Sequence, residues 1–193
     1  MTGAARTLGR RPGVAPKLAA VVQSRPDVEQ LRERARLLAA RVTDPEMPML
    51  TLADLGVLRS VEVTEKRRVV VTITPTYMGC PAMATMRDDL LRVLQEGGLE
   101  ATVRVSLSPA WSSDWITERG RRALAAHGLS APGPAPARGG SVPLTLQPTV
   151  RRVRCPRCAC DDVELTSEFG ATACKALYRC TRCREPFEHV KEI

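Results

Sequence analysis

The chain has 193 residues, a formal net charge of +8 and a pI of about 9.5, a length that allows one medium domain and a small module. Aromatic residues make up only 3% of the chain, whereas nucleic-acid-binding domains usually combine basic and stacking aromatic side chains, so no nucleic-acid partner is expected. No apolar run approaches the roughly 18 residues of a membrane span, so no membrane association is expected. Residues 18–22 are too short for a signal peptide, which predicts a cytoplasmic, thiol-reducing location.

The N-terminal part of the chain predicts a tail followed by a helix. Residues 1–25 are rich in Arg, Gly, Pro and Ala, which favours a disordered tail. A helix is then expected to start at Asp27 and to run through Val42 with one apolar face. Residues 43–48 should end it, because the residue before each proline is disfavoured in helical conformation.

The middle of the chain predicts a mixed sheet with helices. Residues 57–64, 68–74 and 101–107 favour strands, and a helix should start at Pro81 and stop at Gly97. A third helix, capped by Ser113 or Asp114, should run to about residue 126. The resulting order, α-β-β-α-β-α over residues 26–129, predicts a small α+β sandwich with helices packed on one sheet.

The C-terminal part predicts a linker and a metal-binding ribbon. Residues 130–149 are rich in Pro and Gly, as is typical of a linker, and residues 150–193 form a module too small for a large core. This module contains two Cys-x-x-Cys pairs whose four thiolates can complete a tetrahedral metal site. The predicted metal ligands are Cys155, Cys158, Cys180 and Cys183.

The identity of the metal and the roles of the remaining donors stay open in this module. Structural zinc is expected, but four thiolates hold iron equally well. Cys160 and Cys174 are left over, and either can replace a ligand or be a small buried residue. Cys160 is interpreted as structural, whereas Cys174 follows a run of small residues that permits close approach of the backbone. His189 is a weaker alternative ligand.

A second candidate site surrounds Cys80, which is followed by Pro81. Because proline favours the first position of a helix, Cys80 is predicted to be the N-cap, where free N–H groups stabilise a thiolate and lower its pKa. With only two histidines in the chain, a Cys–His nucleophilic pair is not expected. Asp44 and Glu46 are further candidates. The alternative for them is a solvated turn in which Asp44 caps a helix end.

Several motifs resemble those of known families. The first group resembles the domain shared by cytosolic iron–sulfur targeting proteins and bacterial iron–sulfur maturation proteins, and it comprises residues 44–48 (DPEMP), 52–57 (LADLGV) and 74–82 (TPTYMGCPA). The second group, with the ribbon, resembles the small D-type subunit of bacterial phenylacetyl-CoA epoxidase systems, and it comprises residues 108–116 (SPAWSSDWI) and 168–180 (EFGATACKALYRC). The likeness extends over about residues 31–190.

The resemblance implies an accessory role. In such systems a di-iron subunit performs the epoxidation of the ring, a flavin and iron–sulfur reductase supplies electrons, and the D-type subunit is not expected to be an enzyme. The resemblance implies help with iron or iron–sulfur assembly in the oxygenase and reductase subunits, with transient binding of the iron or cluster. Cys80 corresponds to the loop cysteine of the family, and Asp44 and Glu46 to its acidic motif.

Two other functions remain open from the sequence. The ribbon cysteines can hold redox-active iron, which would make the chain a rubredoxin-like electron carrier of the same oxygenase system. A nucleic-acid-binding zinc ribbon is supported only by the positive charge.

Overall fold

The computed structural model describes residues 27–77, 79–136 and 153–193. The predicted tail (residues 1–25) and most of the predicted linker lie outside these ranges. We refer to residues 27–129 as the N-terminal domain and to residues 153–193 as the ribbon. Within the described ranges, no helix combines the length and apolarity that crossing a bilayer requires.

The first helix starts as predicted but ends early. Helix α1 (Val28–Ala39) follows Asp27, whose side chain accepts a hydrogen bond from the Val28 N–H. It buries Leu31, Ala35 and Ala39 against the sheet side of the domain. The predicted end at Val42 is wrong, because the Val42 amide already turns back to the Ala39 carbonyl at 3.2 Å ahead of the Asp44-Pro45 segment.

The sheet of the N-terminal domain has three strands, β1 (Leu58–Val63), β2 (Val69–Ile73) and β3 (Ala101–Val105), in the order β1-β2-β3. β1 and β2 form an antiparallel hairpin, whereas β2 and β3 are parallel. Parallel neighbours need a crossover, which helix α2 (Met83–Glu96) provides. The central strand β2 is the most buried of the three. The loop that follows β2 contains Cys80, and it therefore starts from a fixed position.

The predicted third helix is divided into two parts. Ser113–Trp115 forms a single 3-10 turn, and helix α3 (Glu118–Ala126) follows with Thr117 as its N-cap. The prediction of a cap at Ser113 or Asp114 is wrong because Ile116 is extended and interrupts the helix. Just before the turn, buried Trp111 donates its indole N–H to the Leu55 carbonyl at 2.9 Å. The α+β order is otherwise confirmed.

The ribbon is an antiparallel three-stranded sheet, β4 (Val163–Ser167), β5 (Lys175–Cys180) and β6 (Pro186–Val190), in that order. It has a small core of its own around Val153, Tyr178 and Phe187. Such a core is too small to account for much stability, which agrees with a module that depends on bound metal.

The end of the ribbon is joined to the N-terminal domain. The Ser130 carbonyl, at the start of the predicted linker, accepts the Val190 N–H at 3.0 Å, and the Ser130 N–H donates to the Glu188 carbonyl at 2.9 Å. The Ile193 carbonyl accepts the Ser113 N–H at 3.0 Å, and Val190 belongs to the core of the N-terminal domain. The described part of the chain therefore has direct contacts between its two modules.

A buried polar cluster lies at this junction. The fully buried His189 side chain contacts the Ser130 hydroxyl at 3.0 Å and Glu192 Oε1 at 3.2 Å, and Glu192 also accepts the Gly133 N–H at 2.9 Å. Burial raises the pKa of Glu192, but the hydrogen bonds from His189 and Gly133 outweigh it and lower the pKa to about 2. Both ring nitrogens of His189 therefore contact protein groups, and His189 does not belong to the group of four clustered cysteines.

Glu192→Gln should remove a pH-dependent part of the stability. Because the folded pKa of Glu192 lies below its ordinary value of 4.5, its contribution is present above about pH 4.5 and is lost as the pH falls towards 2. The difference in unfolding free energy between wild type and variant should be of order 3 kcal/mol near neutral pH and shrink through that window. Urea unfolding at several pH values measures it.

The matched control is Glu65→Gln, which changes an exposed carboxylate in the β1–β2 turn. Loss of metal in acid affects all three proteins, so only differences from wild type are compared. A constant difference for Glu192→Gln across the window would contradict the prediction.

Candidate functional site

The four predicted ribbon cysteines come together. The first pair precedes β4, and the second pair is formed by the last residue of β5 and the turn before β6. Their Sγ atoms all lie within 4.8 Å of one another, and the Cys155–Cys183 and Cys158–Cys180 sulfurs are each 3.6 Å apart.

The two pairs are built alike. In each, the backbone N–H four residues after the first cysteine returns to its carbonyl, from Ala159 to Cys155 at 2.9 Å and from Arg184 to Cys180 at 3.0 Å. Both Ala159 and Arg184 adopt positive φ, at 56° and 63°. The same local turn therefore presents two sulfurs from each half of the ribbon.

The donor set fits zinc. A tetrahedral site with Zn–S bonds of about 2.3 Å requires sulfurs about 3.8 Å apart, whereas a disulfide requires about 2.05 Å, and all four thiols are free. Four protein ligands leave no open coordination position, which is typical of a structural site. Cys160 lies outside the cluster, and its sulfur is 3.9 Å from the Asp162 carbonyl oxygen.

The structure places Cys80 in the loop between β2 and α2, not at the helix N-cap. Helix α2 begins at Met83, and Ala82 is its cap residue. The prediction is wrong because Pro81 and Ala82 form a turn of their own, in which the Met83 N–H reaches the Cys80 carbonyl at 3.3 Å.

The predicted low pKa of Cys80 is also wrong. Burial raises the pKa of this half-buried thiol, and the Ala82 N–H lowers it only in part. The charges of Asp44, Cys174 and Glu46 raise it further. The neutral thiol is therefore favoured, and a bound cation would be needed to favour the thiolate.

Asp44 and Glu46 lie in one turn but differ in burial. Asp44 is buried and its Oδ1 accepts the backbone N–H groups of Glu46 and Met47, each at 2.8 Å, so it caps its own turn rather than the end of α1. Burial raises the pKa of Asp44 in spite of these two bonds, and the charge of Glu46 adds to the effect. Glu46 itself is exposed.

Cys80, Asp44 and Glu46 all line one small cavity of about 20 Å³. Tyr77 also lines it, as do Thr172 and Cys174 from the ribbon. The volume corresponds to about one water molecule. The contribution of the ribbon was not predicted. The sequence feature that pointed to this contribution was the run of small residues, Gly170 to Ala173, just before Cys174.

Two solved structures resemble part of the chain. A DUF59 domain from Bacillus anthracis covers 50% of this chain and 92% of its own length, with a TM-score of 0.47 and 27% identity. A conserved hypothetical protein from Thermotoga maritima covers 47% of this chain and 90% of its own, with a TM-score of 0.41 and 20% identity.

Family models match both modules. Residues 36–107 match the iron-sulfur cluster assembly protein family, and residues 140–191 match the PaaD zinc beta ribbon domain. A protein of Escherichia coli (strain K12), described as the D-type subunit of a 1,2-phenylacetyl-CoA epoxidase, is 43% identical over 157 residues, which cover 81% of this chain and 90% of the relative. Because the two domains match in order and the identity extends over most of both chains, this chain belongs to the family of D-type subunits of phenylacetyl-CoA epoxidase.

Proposed function

We propose that the chain is a non-catalytic accessory subunit of a phenylacetyl-CoA epoxidase system in aerobic phenylacetate catabolism. It assists the assembly of iron or iron–sulfur centres in the oxygenase or reductase subunits, which are its partners. The observation that carries the proposal is the small cavity where Cys80 meets Asp44 and Glu46. The family of the relative and the matched assembly domain support it. The cytoplasmic location stays a prediction.

The two sites have different parts in this function. Cys155, Cys158, Cys180 and Cys183 would hold zinc as a closed structural centre, and zinc would supply folding free energy and no chemistry. The cavity is where iron is handled as cargo. There the Cys80 thiol can release its proton when a cation arrives, while the carboxylates of Asp44 and Glu46 supply negative charge.

Electron transfer is the second candidate. The spacing of the four ribbon sulfurs fits iron as well as zinc, because both ions accept tetrahedral thiolate ligands. Metal analysis and a visible spectrum of protein purified without added metal separate the two functions. A colourless zinc protein supports the accessory role, whereas a red iron protein supports the electron carrier.

Cys80→Ser should abolish support of epoxidase activity while the chain stays folded. The substitution is nearly isosteric, and the Cys80 side chain is only half-buried, so we expect a change in unfolding free energy within about 1 kcal/mol. The loss should appear as depleted iron in the co-purified oxygenase and reductase subunits and as failure to grow on phenylacetate. Wild-type iron content with the variant would exclude a role for Cys80.

Cys160→Ser is the matched control, since it removes a thiol outside the cavity and should preserve partner iron. The two acidic residues provide a further comparison. Asp44→Asn weakens two backbone hydrogen bonds and should cost roughly 1–2 kcal/mol of stability, whereas Glu46→Gln should leave the melting temperature unchanged and deplete partner iron.

A further inference from the structure

Cys174 is a second thiol at the cavity, and it comes from the other module. It lies directly before β5 in the ribbon, outside the group of four clustered sulfurs, yet it lines the same cavity as Cys80. When Cys174 is ionised, its negative charge is close enough to Cys80 to raise the pKa of the Cys80 thiol. The cavity is therefore formed by both modules and is incomplete without the ribbon.

The loop that carries Cys174 is fixed by hydrogen bonds on both sides. The Lys191 N–H reaches the Cys174 carbonyl at 3.0 Å, and the Lys175 N–H reaches the Thr172 carbonyl at 3.1 Å. The Thr172 hydroxyl contacts the Cys174 sulfur at 3.1 Å. Because these partners belong to the ribbon sheet and its ends, a folded ribbon positions Cys174 at the cavity.

The charges around the cavity suit a cation. Two carboxyl groups and two thiols among the lining side chains become negative when ionised, namely those of Asp44, Glu46, Cys80 and Cys174. The charge of buried Lys175 lowers the pKa of Asp44, but the Lys175 ammonium is itself paired with Glu188 at 2.8 Å. The cavity thus has donors for a positive ion, and the positive charge of Lys175 does not oppose that ion because Glu188 neutralises it.

The donor types favour a transition metal. Thiolates are soft ligands that Mg²⁺ and Ca²⁺ avoid, whereas a mixed set of thiolates and carboxylates suits Fe²⁺, Co²⁺ or Zn²⁺. Among the described residues, only the ribbon cysteines form a group of three or more whose ligand atoms all lie within 4.8 Å. Two thiolates of one ion can be at most about 4.6 Å apart, which is twice the metal–sulfur bond, so no more than two of the cavity donors can bind the same ion in this arrangement.

We infer that Cys174 and Cys80 are paired thiol ligands of one divalent transition-metal ion at a site shared between the N-terminal domain and the ribbon, with the carboxyl groups of Asp44 and Glu46 supplying negative charge around it. The proposed function requires Fe²⁺, which belongs to this class of ions. The assignment of Fe²⁺ as the cargo therefore rests on the proposed function. On binding, each thiol gives its proton to solvent and forms one metal–sulfur bond. The ribbon zinc then serves to hold Cys174 in place.

The test uses the full-length chain, loaded with one equivalent of zinc and kept anaerobic, with Co²⁺ as the spectroscopic probe. We expect a further equivalent of Co²⁺ to bind and to give thiolate-to-cobalt charge-transfer absorption in the near ultraviolet. Cys174→Ser should weaken this binding by roughly tenfold or more and reduce the absorption, as should Cys80→Ser. Cys160→Ser is the matched control and should bind as wild type does.

Alkylation of the wild-type protein provides a second measurement that needs no variant. Co²⁺ should slow alkylation of both Cys80 and Cys174 and leave Cys160 unaffected. The inference is overturned if folded, zinc-loaded Cys174→Ser binds Co²⁺ as the wild type does, or if Co²⁺ does not protect Cys174 from alkylation. In either case the proposed function is still supported if the iron content of the partner subunits depends on Cys80. If both thiols bind Co²⁺ but Cys80→Ser leaves partner iron normal, the metal site stands and the proposed function fails.

Discussion

Cys180→Ser is expected to release the metal and unfold the ribbon. Each of the four sulfurs is required for a closed tetrahedral site, and structural zinc typically contributes roughly 10–16 kcal/mol of apparent binding free energy. The small core around Val153, Tyr178 and Phe187 cannot replace that contribution. Metal analysis should show loss of the bound ion, and chelator treatment of the wild type should reproduce the effect.

The N-terminal domain should survive with lower stability. It has a larger core, but when the ribbon unfolds it loses Val190 from that core and the contacts of Ser130 with β6 and of Ser113 with Ile193. Both tryptophans, Trp111 and Trp115, lie in this domain, so tryptophan fluorescence reports its melting alone. We expect a cooperative transition shifted to lower temperature.

Cys160→Ser is the control for this experiment, because it removes a ribbon thiol that is outside the metal cluster. It should retain stoichiometric metal and the wild-type melting curve. Stoichiometric metal in Cys180→Ser would contradict the ligand assignment. An unshifted fluorescence transition in that variant would instead show that the contacts between the modules contribute no stability.

Gly56→Ala should severely destabilise the N-terminal domain. Gly56 adopts a φ of +68°, and an added Cβ would overlap the Trp115 Cβ and lie 2.7 Å from the Trp115 carbonyl oxygen. Left-handed strain of about 1–2 kcal/mol and overpacking of about 1–3 kcal/mol together predict a loss of roughly 2–5 kcal/mol. Urea unfolding followed by tryptophan fluorescence measures the loss.

Gly98→Ala is the matched control, because Gly98 has a similar φ of +73° but, apart from its chain neighbours, no atom of the described residues lies within 4 Å of the added Cβ. It should show the conformational strain alone, about 1–2 kcal/mol. The difference between the two variants isolates the steric contact of Gly56 with Trp115. Equal destabilisation of both variants would show that this steric contact does not change the free energy of unfolding.

The features that the sequence predicted well depend on residues close together in the chain. The two Cys-x-x-Cys turns specify their own geometry within five residues, so the metal cluster was predictable from spacing. The same holds for the start of the first helix at Asp27 and for the β1–β2 hairpin. The α-β-β-α-β-α order follows from periodicity and from local breakers such as Gly97.

The features that only the tertiary structure decided depend on groups far apart in the chain. The pKa of Cys80 follows from burial and from the charges of Asp44, Glu46 and Cys174, which outweigh the local Ala82 N–H, so the Cys80-Pro81 pattern predicted the wrong direction. Cys174 reaches the cavity because the ribbon packs on the N-terminal domain through Ser130. Spacing in sequence specifies short-range turns, whereas burial and the meeting of distant charges are set by packing alone.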